Sequence, residues 1–171
     1  MEINYMLTEK QKNARRFLCE VINPTLKEMD LYSPAEAQLL LGTAIQESLL
    51  IYRKQLENGR ALSYYQIEPA THNDIWENYL KYKPELAAKL IKLMSSPDAD
   101  KLHELQYNDR YATGIARVYY LRKRKSTPSL NDISAIAGFW KDNYNTEGGK
   151  GKRKQFIEKW HIYRACTHFK S

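Results

Sequence analysis

The segment AIQESLLIYRKQLENGRALSYYQIEPAT, Ala44 to Thr71, places an acid where an apolar residue is expected. At helical spacing Glu47 shares a row with Leu40, Ala44 and Ile51. An ionised carboxylate buried without a partner is costly. The usual escape is a raised pKa, which keeps the group protonated near neutral pH. A protonated carboxyl group on a cleft wall is what a general acid needs. In glycoside hydrolysis such an acid protonates the leaving oxygen. The structural alternative is that Glu47 meets an Arg or Lys, or turns along the helix to solvent.

A second carboxylate would complete a two-acid glycosidase. Glu68 is the first candidate, two positions from Gln66 and on the same face of an extended segment. Glu57, in the loop, is the second. Metal chemistry is not expected, because His72, His103, His161 and His168 show no zinc-type spacing with the cysteines. A cofactor is not expected either: the sequence has no Gly-rich phosphate loop and no G-x-S-x-G elbow.

The elements that must position these residues read as helices. Thr8 with Gln11 forms a capping box for a helix to about Ile22. Pro24 suits the first turn of a short helix to about Asp30. Ser33, Pro34 and Glu36 open a helix expected to reach about Tyr52. Lys54 to Glu68 is an irregular span whose one strand-like stretch is Leu62 to Ile67. Further helices are expected from Thr71 to Tyr79, from Pro84 to Met94, around Leu102, from Asn108 or Asp109 to Lys125, from Ser129 to Tyr144, and from Lys152 to His168. The fold class is therefore mainly α: one domain over residues 1–171, with a long central loop and at most a minimal β-hairpin.

The order of motifs resembles the soluble lytic transglycosylases and the wider lysozyme-like superfamily. In that family a helix ends near Glu-Ser. A loop, a Gly-Leu-Met-Gln-Ile-x-Pro-x-Thr segment and an Ala-x-x-Tyr-Asn-x-Gly segment follow. Gln46-Glu47-Ser48 matches the first motif. Gln66-Ile67-Glu68-Pro69-Ala70-Thr71 matches the second, with Gln66 at 19 positions after Glu47. Ala137 to Asn145 is similar to the third, and Ala112 to Leu121 to the intervening helix that bears a Tyr-Leu pair. The resemblance spans about residues 36–160.

The resemblance implies a lysozyme-like helical domain that cuts peptidoglycan at the β-1,4 bond between N-acetylmuramic acid and N-acetylglucosamine. It implies Glu47 as catalytic acid and Ser48 as a residue orienting Glu47 or the substrate. Gln66 is expected to hydrogen-bond sugar amides, Tyr144 to reach Glu47 or the sugar, and Asn145 to hold the loop or contact substrate. The family works with one acid. The substrate N-acetyl group serves as nucleophile, and the sugar's 6-hydroxyl then closes an anhydro ring. This chain departs from the pattern at Ser63, Tyr64 and Tyr65, which stand for the family's Gly, Leu and Met. Its glycines after Tyr-Asn are displaced to Gly148 and Gly149.

Composition bounds the partners. The chain has 171 residues, 43% hydrophobic and 27% charged, with 7 Gly and 6 Pro, an ordinary globular composition. No apolar run approaches the ~18 residues of a membrane helix. The start, MEINYMLTEKQKNARR, lacks the order of a secretory signal. Synthesis in the cytoplasm and action at the bacterial wall, as a phage endolysin or virion-borne enzyme, are the expectation. Cys19 and Cys166 are expected as reduced, partly buried thiols. Net charge is +7, with clusters at Arg122 to Lys125 and Lys150 to Lys154. A basic surface concentrates anionic partners such as acidic wall polymer. A rival from another class is a lysozyme-fold virion protein without activity. A further rival is a nucleic-acid binder using the basic clusters and 13 tyrosines.

Overall fold

A computed structural model describes residues 6–145 and 149–164. The chain is mainly helical and folds as one domain, with only isolated β-bridges among the described residues. Helix α1 (Glu9–Arg16) opens on the expected Thr8 capping box. It does not stop at Ile22. A π-helical stretch, Phe17–Ile22, carries it into α2 (Asn23–Glu28). Pro24 therefore sits inside a continuous rod rather than starting a separate helix. The wider π-helical turn before it relieves the i→i−4 clash a proline would otherwise make. Cys19 lies on this stretch and is exposed, not partly buried; Cys166 lies outside the described residues.

Helix α3 (Pro34–Ser48) is the central element. Its residues from Ala37 through Gln46 are buried all round. Ser33 caps it as expected, accepting the Glu36 N–H at 3.1 Å. It ends at Ser48, four residues short of the expected Tyr52. Leu49 and Leu50 both take left-handed backbone, each at φ 56°. No glycine or proline marks this stop. The Ser48 hydroxyl supports it by donating to Ala44 O at 3.0 Å and accepting the Leu50 N–H at 3.2 Å.

The loop that follows returns to the core through the antiparallel bridges Lys54↔Leu62 and Leu62↔Ile67, the minimal hairpin expected there. Arg53 ties the loop to α7 (Asp109–Leu121). Its guanidinium grips Asp109 at 3.2 and 2.8 Å and covers the Tyr64 ring at 4.3 Å. Helix α4 (Pro69–Asn78) begins at the proline, two residues before the expected Thr71. A 3₁₀ turn (Leu80–Tyr82), α5 (Pro84–Lys92) and α6 (Lys101–Tyr107) follow.

Asn108 caps α7 by accepting the Arg110 and Tyr111 N–H groups, each at 3.1 Å. Asp132, not Ser129, caps α8 (Ile133–Trp140). After Trp140 the backbone continues as π-helical Lys141–Asn145. Helix α9 (Arg153–Tyr163) closes the described chain. It packs tightly on α3 because Gly42 has no side chain; a Cβ there would overlap the Phe156 ring. No helix among the described residues is long and apolar enough to cross a membrane.

Candidate active site

The early end of α3 decides the setting of Glu47. The acid stands in the last helical turn and is half-buried, on the wall of a cleft of about 490 Å³. The apolar row behind it is real at Leu40 and Ala44, both fully buried. Ile51 leaves the row because the helix has already stopped, and it is 58% exposed.

Trp140, fully buried at the end of α8, donates its Nε1–H to Glu47 Oε1 at 2.8 Å. Burial pushes the Glu47 carboxyl up to about 7, against the opposing pulls of the Trp140 hydrogen bond and the Lys159 charge. Indole N–H is donor-only, so Oε1 is an acceptor in either protonation state. A carbonyl oxygen is the better acceptor, so the Trp140 N–H favours the proton of neutral Glu47 on Oε2.

Glu47, Gln66, Glu68 and Asn145 all line the cleft, together with Tyr52, Leu56 and Gly149. The loop thus brings Gln66 into the same cleft as the acid. Gln66 takes left-handed backbone (φ 49°), as does Ser63 (φ 67°). Such backbone favours glycine. At Ser63 the conformation is supported by local bonds: its hydroxyl accepts the Tyr65 N–H at 3.2 Å, and its own N–H reaches Arg53 O at 2.8 Å. The Gln66 amide donates to Tyr52 O at 3.1 Å and Ser63 O at 2.9 Å. Both donors being engaged, the group it presents to a ligand is its carbonyl oxygen. Asn145 Oδ1 accepts from Lys141 Nζ at 2.8 Å, and the same ammonium reaches Gly149 O at 2.9 Å, closing that side of the cleft.

Other expected residues have different placements. Ser48 is buried and does not line the cleft; its hydroxyl finishes α3. Glu57 is exposed in the loop and also lies outside the cleft lining. Glu68 is in the cleft, exposed, at the start of α4, whose N-terminus it does not cap with its side chain. Tyr144 does not place its hydroxyl on Glu47. It donates to Tyr65 O at 2.7 Å, and its ring stacks on Tyr120 with centroids 5.2 Å apart. Burial first, and then the charge of Glu47, holds the Tyr144 phenol far above its ordinary range, so it is a neutral donor.

Tyr144 is thus a tether between the π-helical stretch and the residue preceding Gln66. Tyr144→Phe is expected to cost about 1 kcal/mol, the net worth of one hydrogen bond. It should lower the melting temperature by roughly 2–4 °C for a chain of this size. A calorimetric scan checks this; an unchanged midpoint would show that the tether contributes nothing.

Two residues of the site escape motif reasoning. Trp140 falls within the Ala137 to Asn145 segment, but nothing in its type marks it as the partner of an acid 93 positions away. Lys159 arrives from α9 and donates Nζ to Gln46 O at 2.8 Å, next to Glu47. Its signal is indirect: Phe156 and Lys159 share one face of α9, and Gly42 gives that face its place on α3.

The basic clusters are partly paired. Arg122 donates to Asp74 at 2.6 Å and lies over the Tyr119 ring, as does Lys123. Arg124 and Lys125 are exposed.

Fold and site together define a mainly helical domain with one half-buried, proton-holding carboxyl group in an open cleft. No family model, curated protein or solved structure matches the chain.

Proposed function

We propose that this protein cleaves the glycan strands of peptidoglycan at the β-1,4 bond between N-acetylmuramic acid and N-acetylglucosamine, with Glu47 as general acid. The observation that carries the reading is the Glu47 carboxyl: half-buried, held protonated up to about pH 7, and facing a cleft shared with Gln66 and Asn145. The resemblance of Glu47-Ser48 and Gln66 to Thr71 to the lytic transglycosylases supplies the substrate class.

In this reading Trp140 fixes Oε1, and the proton on Oε2 goes to the glycosidic oxygen as the bond breaks. Gln66 presents its carbonyl oxygen to the N–H of the substrate's N-acetyl group. That contact would orient the acetyl oxygen for attack on the anomeric carbon, which holding groups in near-attack geometry favours. The exposed cations Arg124 and Lys125 would add long-range attraction to acidic wall polymer. Action at the bacterial wall, in the manner of phage-encoded lysis or entry enzymes, follows from the substrate.

Zymography on purified peptidoglycan tests the reading. A cleared band at the mass of the chain, 20.1 kDa, is the expected result. Binding to the wall with no clearing at any pH would assign the protein to the lysozyme-fold proteins without activity.

A further inference from the structure

Lys159 is not among the residues that the family motifs assign. Its place follows from packing. Gly42 lets the Phe156 ring sit against α3, and Lys159, three residues on, shares that face of α9. The contact delivers the Lys159 ammonium to the C-terminal end of α3, where it donates to Gln46 O at 2.8 Å. Lys159 is half-buried there, so its charge is less screened than that of a surface lysine.

The aromatic groups around Glu47 from the neighbouring elements are uncharged, and of these Trp140 is the one that donates to it. Tyr119 and Tyr120 come from α7 and Tyr144 from the π-helical stretch; each phenol is pushed upward by its burial and by the charge of Glu47. Trp140 comes from α8 and gives an N–H. Lys159, from α9, supplies the positive charge in this set.

We propose that Lys159 is a positioning residue for Glu47: its ammonium, anchored on the Gln46 carbonyl, is the counter-charge against which Glu47 ionises after giving up its proton. The proposal rests on the assignment of Glu47 as the catalytic acid. A single acid must release its proton to the leaving oxygen and then take one from the attacking hydroxyl. The first step leaves a carboxylate in a half-buried site, and Lys159 is the cation fixed on the adjacent residue, Gln46, while Lys141 is bound to Asn145 and Gly149 and Glu68 is exposed. Lys159 makes that state accessible, and Glu47 in turn helps keep the half-buried ammonium charged.

The test is a carbon-detected NMR titration of the glutamate side-chain carboxyls, with Glu47 assigned from its absence in Glu47→Gln. In Lys159→Met the Glu47 midpoint is expected to move upward by about one pH unit from the parent's. Lys159→Arg, which keeps the charge, should stay with the parent. Lys154→Met, which removes an exposed charge of the same helix, should leave the midpoint in place. The alkaline limb of wall lysis should move with the NMR midpoint, a shift that a purely structural role would not produce. If Lys159→Met does not fold, Lys159→Gln, which keeps a donor and removes the charge, replaces it. A Glu47 midpoint in the neutral variant equal to the parent's would overturn the proposal. So would an equal shift in Lys154→Met. Wall clearing that persists in Glu47→Gln would instead remove the catalytic assignment, while the NMR comparison of Lys159 variants would stand unaffected.

Discussion

Glu47→Gln is expected to fold like the parent, lose wall lysis by roughly 10²–10⁴-fold, and melt at a higher temperature than the parent above pH 7. The amide keeps the volume and still offers an oxygen to the Trp140 N–H, but it has no proton to give to the leaving oxygen. The stability gain has a definite sign and window. Burial raises Glu47 from its ordinary 4.5 to about 7 in the folded chain. Between those values the folded state holds a proton that the unfolded state has lost. Stability of the parent therefore falls as pH rises through this window, by about 3 kcal/mol in order of magnitude. Glutamine has no such window. The two proteins should melt together near pH 4.5, and the variant should lead by roughly 5–10 °C at pH 8. Thermal scans across this range, with turbidity assays of lysis alongside, check both halves. Equal melting differences at pH 4.5 and pH 8 would remove the raised pKa. Lysis within a few-fold of the parent would remove Glu47 as the acid.

The sequence made Glu47 visible because helical spacing placed a charge on an otherwise apolar row, a local conflict of the kind that marks functional sites. Gln66 and Asn145 were legible through motif spacing, and both line the cleft with Glu47. Helix starts were legible at the side-chain caps Thr8, Ser33 and Asn108, whereas the cap of α8 is Asp132 and not the expected Ser129. Helix ends were less legible. The stop at Ser48 depends on left-handed Leu49 and Leu50, residue types that rarely adopt that backbone. The π-helical stretches at Phe17–Ile22 and Lys141–Asn145 have no sequence signature, yet the second decides where Tyr144 points. Its hydroxyl was expected to reach Glu47 or the sugar, and it is found on Tyr65 O. Trp140 and Lys159 come from α8 and α9, and only tertiary packing against α3 brings them to the acid. The residues that line the cleft were thus readable one at a time, while the contacts that Trp140 and Lys159 make beside Glu47 were not, because those lie between distant helices.

The products of wall digestion are expected to carry 1,6-anhydro muramic acid ends, and Glu68→Gln is expected to lyse walls within a few-fold of the parent. A two-acid hydrolase uses a second carboxylate to attack the sugar or to activate water on the face opposite the acid. Glu57 is outside the cleft lining, which leaves Glu68. Glu68 reaches the cleft from the first residue before α4 and is exposed to solvent. A nucleophile or base that must stand at a set separation from its partner acid is normally held by neighbouring groups. Gln66, by contrast, is fixed by two carbonyl acceptors and presents an oxygen suited to an acetamido N–H. The organised group in this cleft is therefore the one that would orient the substrate's own N-acetyl nucleophile. In the proposed reaction, once the N-acetyl group has displaced the leaving oxygen, the 6-hydroxyl of the same sugar would displace that group in turn, close the ring and give its proton to Glu47. Mass spectrometry of digested muropeptides separates the outcomes, because the anhydro product is lighter than the hydrolysed one by one water. Reducing muramic acid ends in a fresh digest, together with a loss of about 10²-fold or more in Glu68→Gln, would make Glu68 the second carboxylate and this protein a two-acid hydrolase.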